Sequence, residues 1–142
     1  MKTQLLILIL ISLLGAQNGA PASFWSGYSQ DEKIAFINGV YGAISKLKSH
    51  HRSEVRKQFH HETNWVEPYY IERFYEIIDE HRAKKAGYQV NLIAQALDAF
   101  YSNYDNTAIP LLEAVRIVSL AQDEETEKAD LYLLKAQKRY RP

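Results

Sequence analysis

Residues 29–47, SQDEKIAFINGVYGAISKL, decide the fold. Ser29 and Glu32 stand three apart in the S-x-x-E form of a capping box: the serine takes a free backbone amide and the glutamate reaches back to the serine's own N–H. A helix is therefore predicted from about residue 30 to residue 48. Ile34, Ile37, Tyr41 and Ile44 form one apolar stripe at helical spacing, and Phe36, Val40, Ala43 and Leu47 form a second. A helix apolar over so much of its circumference reads as central. Gly39 and Gly42 each cost about 1 kcal/mol of helix propensity against alanine, a cost that close approach of a neighbouring helix would justify.

Downstream, residues 49–66 are polar and rich in histidine. They read as a loop, with room for one short helix from Ser53 to Phe59. Pro68 suits the first turn of a second helix, where its missing N–H is no loss. Tyr70, Ile71, Phe74, Ile77, Ile78 and His81 make the predicted inner stripe of that helix, and Gly87 can stop it. A third helix is predicted over 89–102, with Val90, Ile93, Leu97 and Phe100 inward, followed by a turn at NYDNTA (103–108). Pro110 opens a fourth, whose Leu111, Leu112, Val115, Ile117, Val118 and Leu120 look central. Residues 123–142 form a charged C-terminal helix, acidic at its start and basic at its end, as the helix dipole favours. No glycine or proline divides it from the fourth, so the sequence leaves open whether the two are separate or continuous. The expectation is all-α: a single domain over 23–142, built as a compact bundle of four to five helices.

Upstream lies a different kind of segment. Lys2, an apolar run at Leu5–Leu14 (LLILILISLL) and a small, polar stretch at Gly15–Ala22 (GAQNGAPA) have the three-part form of a secretory signal peptide. The run is about half the ~20 residues that cross a bilayer. Cutting after Ala22 puts Ala20 and Ala22 in the A-x-A arrangement, which assigns 1–22 to the signal peptide. Ala16 is the fallback, because cutting after Ala20 would place Pro21 next to the bond. With no cysteine in the chain, no acyl anchor can be attached, and the expected location is periplasmic or extracellular. The 17 Lys+Arg balance the 17 Asp+Glu, and losing Lys2 leaves the remainder one charge negative. Such a balance argues for neither nucleic acid nor an anionic membrane as partner. The lack of cysteine also excludes thiol chemistry and disulfides, so an exported chain of this size depends on its apolar core.

Three sets of residues bear on function. The doublets His50-His51 and His60-His61 flank the polar segment, and with Glu54 or Glu62 they are the candidate ligands of a zinc or copper site. Their spacing matches no metal motif, and a solvated loop is the simpler expectation. Glu72, Glu76, Asp79 and Glu80 oppose the apolar stripe of the second helix and read as its wet outer face. His81 continues that stripe and reads as a core-edge histidine with a satisfied hydrogen bond. The most unusual feature is tyrosine: ten in the chain, six of them at positions 69, 70, 75, 88, 101 and 104. A large apolar ring with a polar tip suits an interface or the boundary of a small core. Neither a nucleophile elbow nor a P-loop nor a dinucleotide fingerprint occurs.

FINGVYGAI (36–44) and LDAFYSNYDNTAIPLLEAVRIV (97–118) resemble segments of an uncharacterised family of small exported helical bacterial proteins. The resemblance implies export and a helical fold, and supplies no activity. A fainter resemblance, to the periplasmic immunity proteins of type VI secretion systems, rests on an early glycine-bearing helix paired with a later helix-turn-helix. Those proteins typically carry cysteines. The functional expectation is a non-enzymatic exported protein that needs no cofactor. It binds another protein or a peptide through tyrosine-rich surface, with Tyr69, Tyr75, Tyr88, Tyr101 and Tyr104 as candidate contacts. The alternatives are metal binding by the His50–Glu62 segment, a small-ligand carrier, and a periplasmic immunity protein.

Overall fold

Ser29 opens the longest helix as its sequence predicts: its Oγ accepts the Glu32 N–H at 3.3 Å while Glu32 Oε2 accepts the Ser29 N–H at 2.7 Å. The computed structural model describes residues 19–87 and 89–141. Among them run six α-helices and no strand: α1 (Pro21–Gly27), α2 (Gln30–Phe59), α3 (Tyr69–Asp79), α4 (Val90–Tyr101), α5 (Leu111–Gln122) and α6 (Thr126–Arg139), with a 3-10 turn at Tyr104–Asn106. The all-α class holds, with one helix more than the upper expectation. No described helix is long and apolar enough to cross a membrane. Residues 1–18, most of the segment read as a signal peptide, lie outside the described residues. Pro21 and Ala22 form the first turn of α1, where the Ala22 N–H donates to the Thr107 carbonyl at 3.1 Å.

The core gathers around α5, whose Ala114, Val115, Ile117, Val118, Ser119 and Leu120 are buried. Helices α4 and α6 pack on it, and α1 and the first half of α2 complete the body. Trp25 anchors α1: its ring is buried and its Nε1–H donates to Asp98 Oδ1 at 2.7 Å, the oxygen that Lys33 Nζ also reaches at 2.7 Å. Tyr41 joins three segments, sharing a 2.9 Å hydrogen bond with Ser119 Oγ and accepting the Ala83 N–H at 3.2 Å.

Helix α2 departs from expectation in position. Ile37 and Tyr41 of its first stripe are buried, but Ala43 and Leu47 of its second face solvent. The helix is peripheral and α5 is central. A Cβ at Gly39 or Gly42 would meet nothing within 4 Å, so no close neighbour explains these glycines.

Only the end of the segment 49–66 is a loop: α2 continues to Phe59, and residues 60–68 connect it to α3. Polarity misled, because SHHRSEVRKQF contains no glycine or proline to break a helix, and Val55 and Phe59, four apart, present one apolar edge. That edge meets Ile71 and Tyr75 of α3 in a small second core, closed by Trp65 stacked on Phe59 at 4.7 Å. The distal half of α2 and α3 thus form an antiparallel hairpin with its own apolar seam. Rotation of α3 also differs: Ile71 and Tyr75 face inward, while Tyr70 and Phe74 of the predicted inner stripe are exposed.

Helices α5 and α6 are separate. Asp123 turns its carboxylate to the backbone N–H groups of Lys84 and Lys85, at 3.0 and 2.8 Å. The next residue, Glu124, takes a left-handed φ of 64°. A side chain recruited by a distant segment ends α5 without glycine or proline.

Candidate functional site

The hairpin's register is set by pairs that step along it: Ser45 with Arg82, Lys48 with Asp79, His51 with Tyr75, and Val55 with Ile71. On one side the two arms leave a groove of about 830 Å³. Helix α2 lines it at four-residue spacing, with Ser45, Ser49 and Ser53 in one row and Lys48, Arg52, Arg56 and His60 in the next. Asp79, Arg82 and Lys84 line the other wall. Spacing by four is close to one helical turn, so each row advances ~6 Å per step.

Two interactions shape the cationic row. Lys48 Nζ contacts both oxygens of Asp79, at 2.7 and 2.6 Å, which neutralises one end of the groove. The ring of Tyr75 lies beneath: the Arg52 guanidinium sits 4.6 Å from its centroid and Lys48 Nζ 5.5 Å. Cation–π attraction of this kind holds a guanidinium while leaving its N–H groups available. Among the described residues, Arg52, Arg56, Arg82 and Lys84 pair with no carboxylate. Four unpaired cations thus surround one groove; among the described residues Lys46 and the basic residues at 135–141 are the other cations in no ion pair.

A second electrostatic feature ties the hairpin to the body. Glu80, at the end of α3, has a side chain only 4% exposed. Arg116 of α5 donates to its Oε2 through Nε at 2.9 Å and through Nη2; Tyr132 of α6 donates to the same oxygen at 3.3 Å. Lys128 Nζ stands 2.8 Å from Oε1, and Arg73 lies at 4.0 Å. Burial is the largest single influence on the Glu80 carboxyl and pushes its pKa up. Lys128 and Arg116 together outweigh burial and hold the group below its ordinary 4.5. This overturns the outer-face expectation for Glu80: its helix face was read correctly, but α5 and α6 pack over that end of α3. His81 is half-buried, with Nδ1 2.9 Å from the Ile77 carbonyl and its pKa lowered, first by burial.

The candidate contact tyrosines separate. Tyr69 and Tyr104 are 74% and 73% exposed. Tyr75 and Tyr101 are 3% and 8% exposed, so neither is a contact surface. Tyr75 is the floor under the cationic row, and Tyr101 donates to the Ile109 carbonyl at 2.8 Å, with burial pushing its hydroxyl pKa up. Tyr88 lies outside the described residues. Tyr75 and Tyr101 are thus claimed by two different cores, while Tyr69 and Tyr104 face solvent.

The histidine doublets do not converge. His50-His51 and His60-His61 stand about ten residues apart along α2, ~15 Å at 1.5 Å per residue. His51 Nδ1 faces Tyr75 Oη at 3.0 Å, and His60 Nδ1 faces the Lys57 carbonyl at 2.8 Å. Among the described residues, no three His, Cys, Asp or Glu side chains are placed to hold a metal ion. Continuation of α2 as a helix to Phe59 holds the pair His50-His51 apart from His60-His61.

The cationic row escaped sequence reasoning although its signal was present. Lys48, Arg52 and Arg56 recur every fourth residue, but a segment taken for a loop has no faces on which spacing could count. The chain matches no protein-family model, no curated protein and no solved structure.

Proposed function

We propose that this is an exported, non-catalytic binding protein whose α2–α3 hairpin captures an anionic partner in its cationic groove. The observation that carries the proposal is the set of arginine and lysine side chains around the groove that pair with no carboxylate, although basic and acidic residues are equal in number over the whole chain. Folding leaves such charges together against mutual repulsion, and an anionic partner relieves it. Arginine fits the task, since its planar fork recognises carboxylate or phosphate bidentately. The exposed Tyr69 and Tyr70, at the start of α3, extend the hairpin surface that a partner would meet. Export rests on residues 1–22 and on the resemblance to small exported proteins. The immunity-protein resemblance agrees with a protein as the anionic partner.

The test is binding of anionic probes (polyglutamate, an oligonucleotide, polyphosphate) at low ionic strength, followed by calorimetry. We expect at least one probe to bind. The double variant Arg52→Glu, Arg56→Glu should weaken it at least tenfold, and Lys135→Glu, Arg139→Glu, an equal charge change on α6, should leave it nearly unchanged. Equal loss in both variants would mean that net charge, not the groove, governs binding.

A further inference from the structure

We infer that the groove's occupant is an extended acidic peptide segment, with carboxylates on alternate residues. The inference rests on the anion-binding proposal above and names its ligand class. Along α2, Arg52 and Arg56 stand four residues apart, a step of ~6 Å. In an extended chain, side chains on one face recur every second residue, ~6.6 Å apart. The two repeats agree within a side chain's reach, so successive carboxylates of an E-x-E-type segment meet successive guanidiniums, each able to form a bidentate pair.

Three further observations favour a peptide over other polyanions. Ser45, Ser49 and Ser53 run beside the cations with the same step, and their hydroxyls both donate and accept. A peptide backbone offers both kinds of partner, whereas phosphate oxygens only accept. Asp79 stands in the groove wall, placing an acceptor among the cations. Its two oxygens are held by Lys48 but keep lone pairs that a backbone N–H can meet and a phosphate oxygen, which only accepts, cannot. Finally, sites for single-stranded nucleic acid interleave cations with aromatic faces on which bases stack. Here His60 is the only ring in the groove lining: Tyr75 is buried beneath the cations, where no base can stack on it, and the exposed Tyr69 and Tyr70 lie at the start of α3, outside the lining.

The groove's reach sets the length of the segment. From Lys48 to His60 is twelve residues of helix, ~18 Å, which an extended peptide spans with about six residues. Lys48 is already held by Asp79, so two or three acidic side chains fill the remainder.

Fluorescence anisotropy with three labelled probes on the full chain tests this. They are a ten-residue peptide alternating glutamate and serine, a peptide of the same composition with its glutamates in one block, and an oligothymidylate of matching charge. The expected order is alternating peptide tightest, at least fivefold over each of the others. Arg56→Gln, at an exposed residue that is part of neither core, should lower the alternating peptide's affinity at least fivefold, with an unchanged helical circular dichroism spectrum. Equal affinity for the two peptides overturns the spacing inference, and tighter binding of the oligonucleotide overturns the peptide inference; both leave an anion-binding groove in place. Binding of none of the three removes that groove function itself.

Discussion

Glu80 shows at the level of a single residue what a helical wheel omits. Its spacing from Glu72 and Glu76 places it on the polar face of α3, and that assignment is correct as geometry. Arg116 and Lys128 from two later helices then fold over the same spot, converting a wet carboxylate into the buried hub of an ion cluster. Removing one partner of such a cluster strands the others, a loss of 3–5 kcal/mol when all are fully buried. Arg116 and Lys128 retain some exposure and can rehydrate, so Glu80→Gln is expected to cost about 2–3 kcal/mol in urea unfolding at pH 7. The sign with pH follows from linkage. The folded pKa lies below the ordinary 4.5, so the contribution is complete above pH 4.5 and is lost as pH falls through the folded value. The stability gap between wild type and Glu80→Gln should therefore narrow below pH 4.5; an unchanged gap at pH 3.5 would show that the charge is not what stabilises. Tyr75 and Tyr101 teach the complementary lesson. Both were legible as amphipathic rings, and sequence alone does not say which end of a tyrosine a neighbour will claim.

Among the elements, α2 divides what was legible from what was not. Its start is written locally: the Ser29–Glu32 box involves four consecutive residues and needs no tertiary help. Its end depends on α3, because Val55 and Phe59 gain an apolar partner only when Ile71 and Tyr75 arrive. The break between α5 and α6 is likewise tertiary, since Asp123 is drawn to the amides of Lys84 and Lys85. The glycines of α2 give a prediction at this scale. With nothing within 4 Å of a Cβ at either position and no positive φ, Gly39→Ala and Gly42→Ala should each stabilise the protein by about 0.5–1 kcal/mol, through helix propensity and a less disordered unfolded chain. Thermal unfolding checks this, and a lowered Tm for either variant would show that the fold itself requires the glycine there.

For the molecule as a whole, two cores of unequal size predict unequal stability. The body holds α1, α4, α5, α6 and the first half of α2 around one large cluster, whereas the hairpin tip is held by Val55, Ile71 and Tyr75 with Phe59 and Trp65. Local opening follows buried apolar contact, so amides of residues 50–78 should exchange with deuterium faster than those of α4 and α5. Uniform protection would show that the hairpin and body open together. Placing the proposed binding surface on the less protected part leaves it free to adjust to a ligand without cost to the core. By itself the sequence determined the all-α class, the start of α2 and most of the apolar faces of α4 and α5, where Leu112 is exposed against expectation, because helix caps and 3.6-residue periodicity act over neighbours in the chain. Only the tertiary structure decided that α5 rather than α2 is central, that Glu80 is buried, and that the basic residues of α2 and those following α3 line a single groove. Those outcomes depend on which surfaces meet across tens of residues, and charge summed over the chain, here zero, carries no record of where folding will gather it.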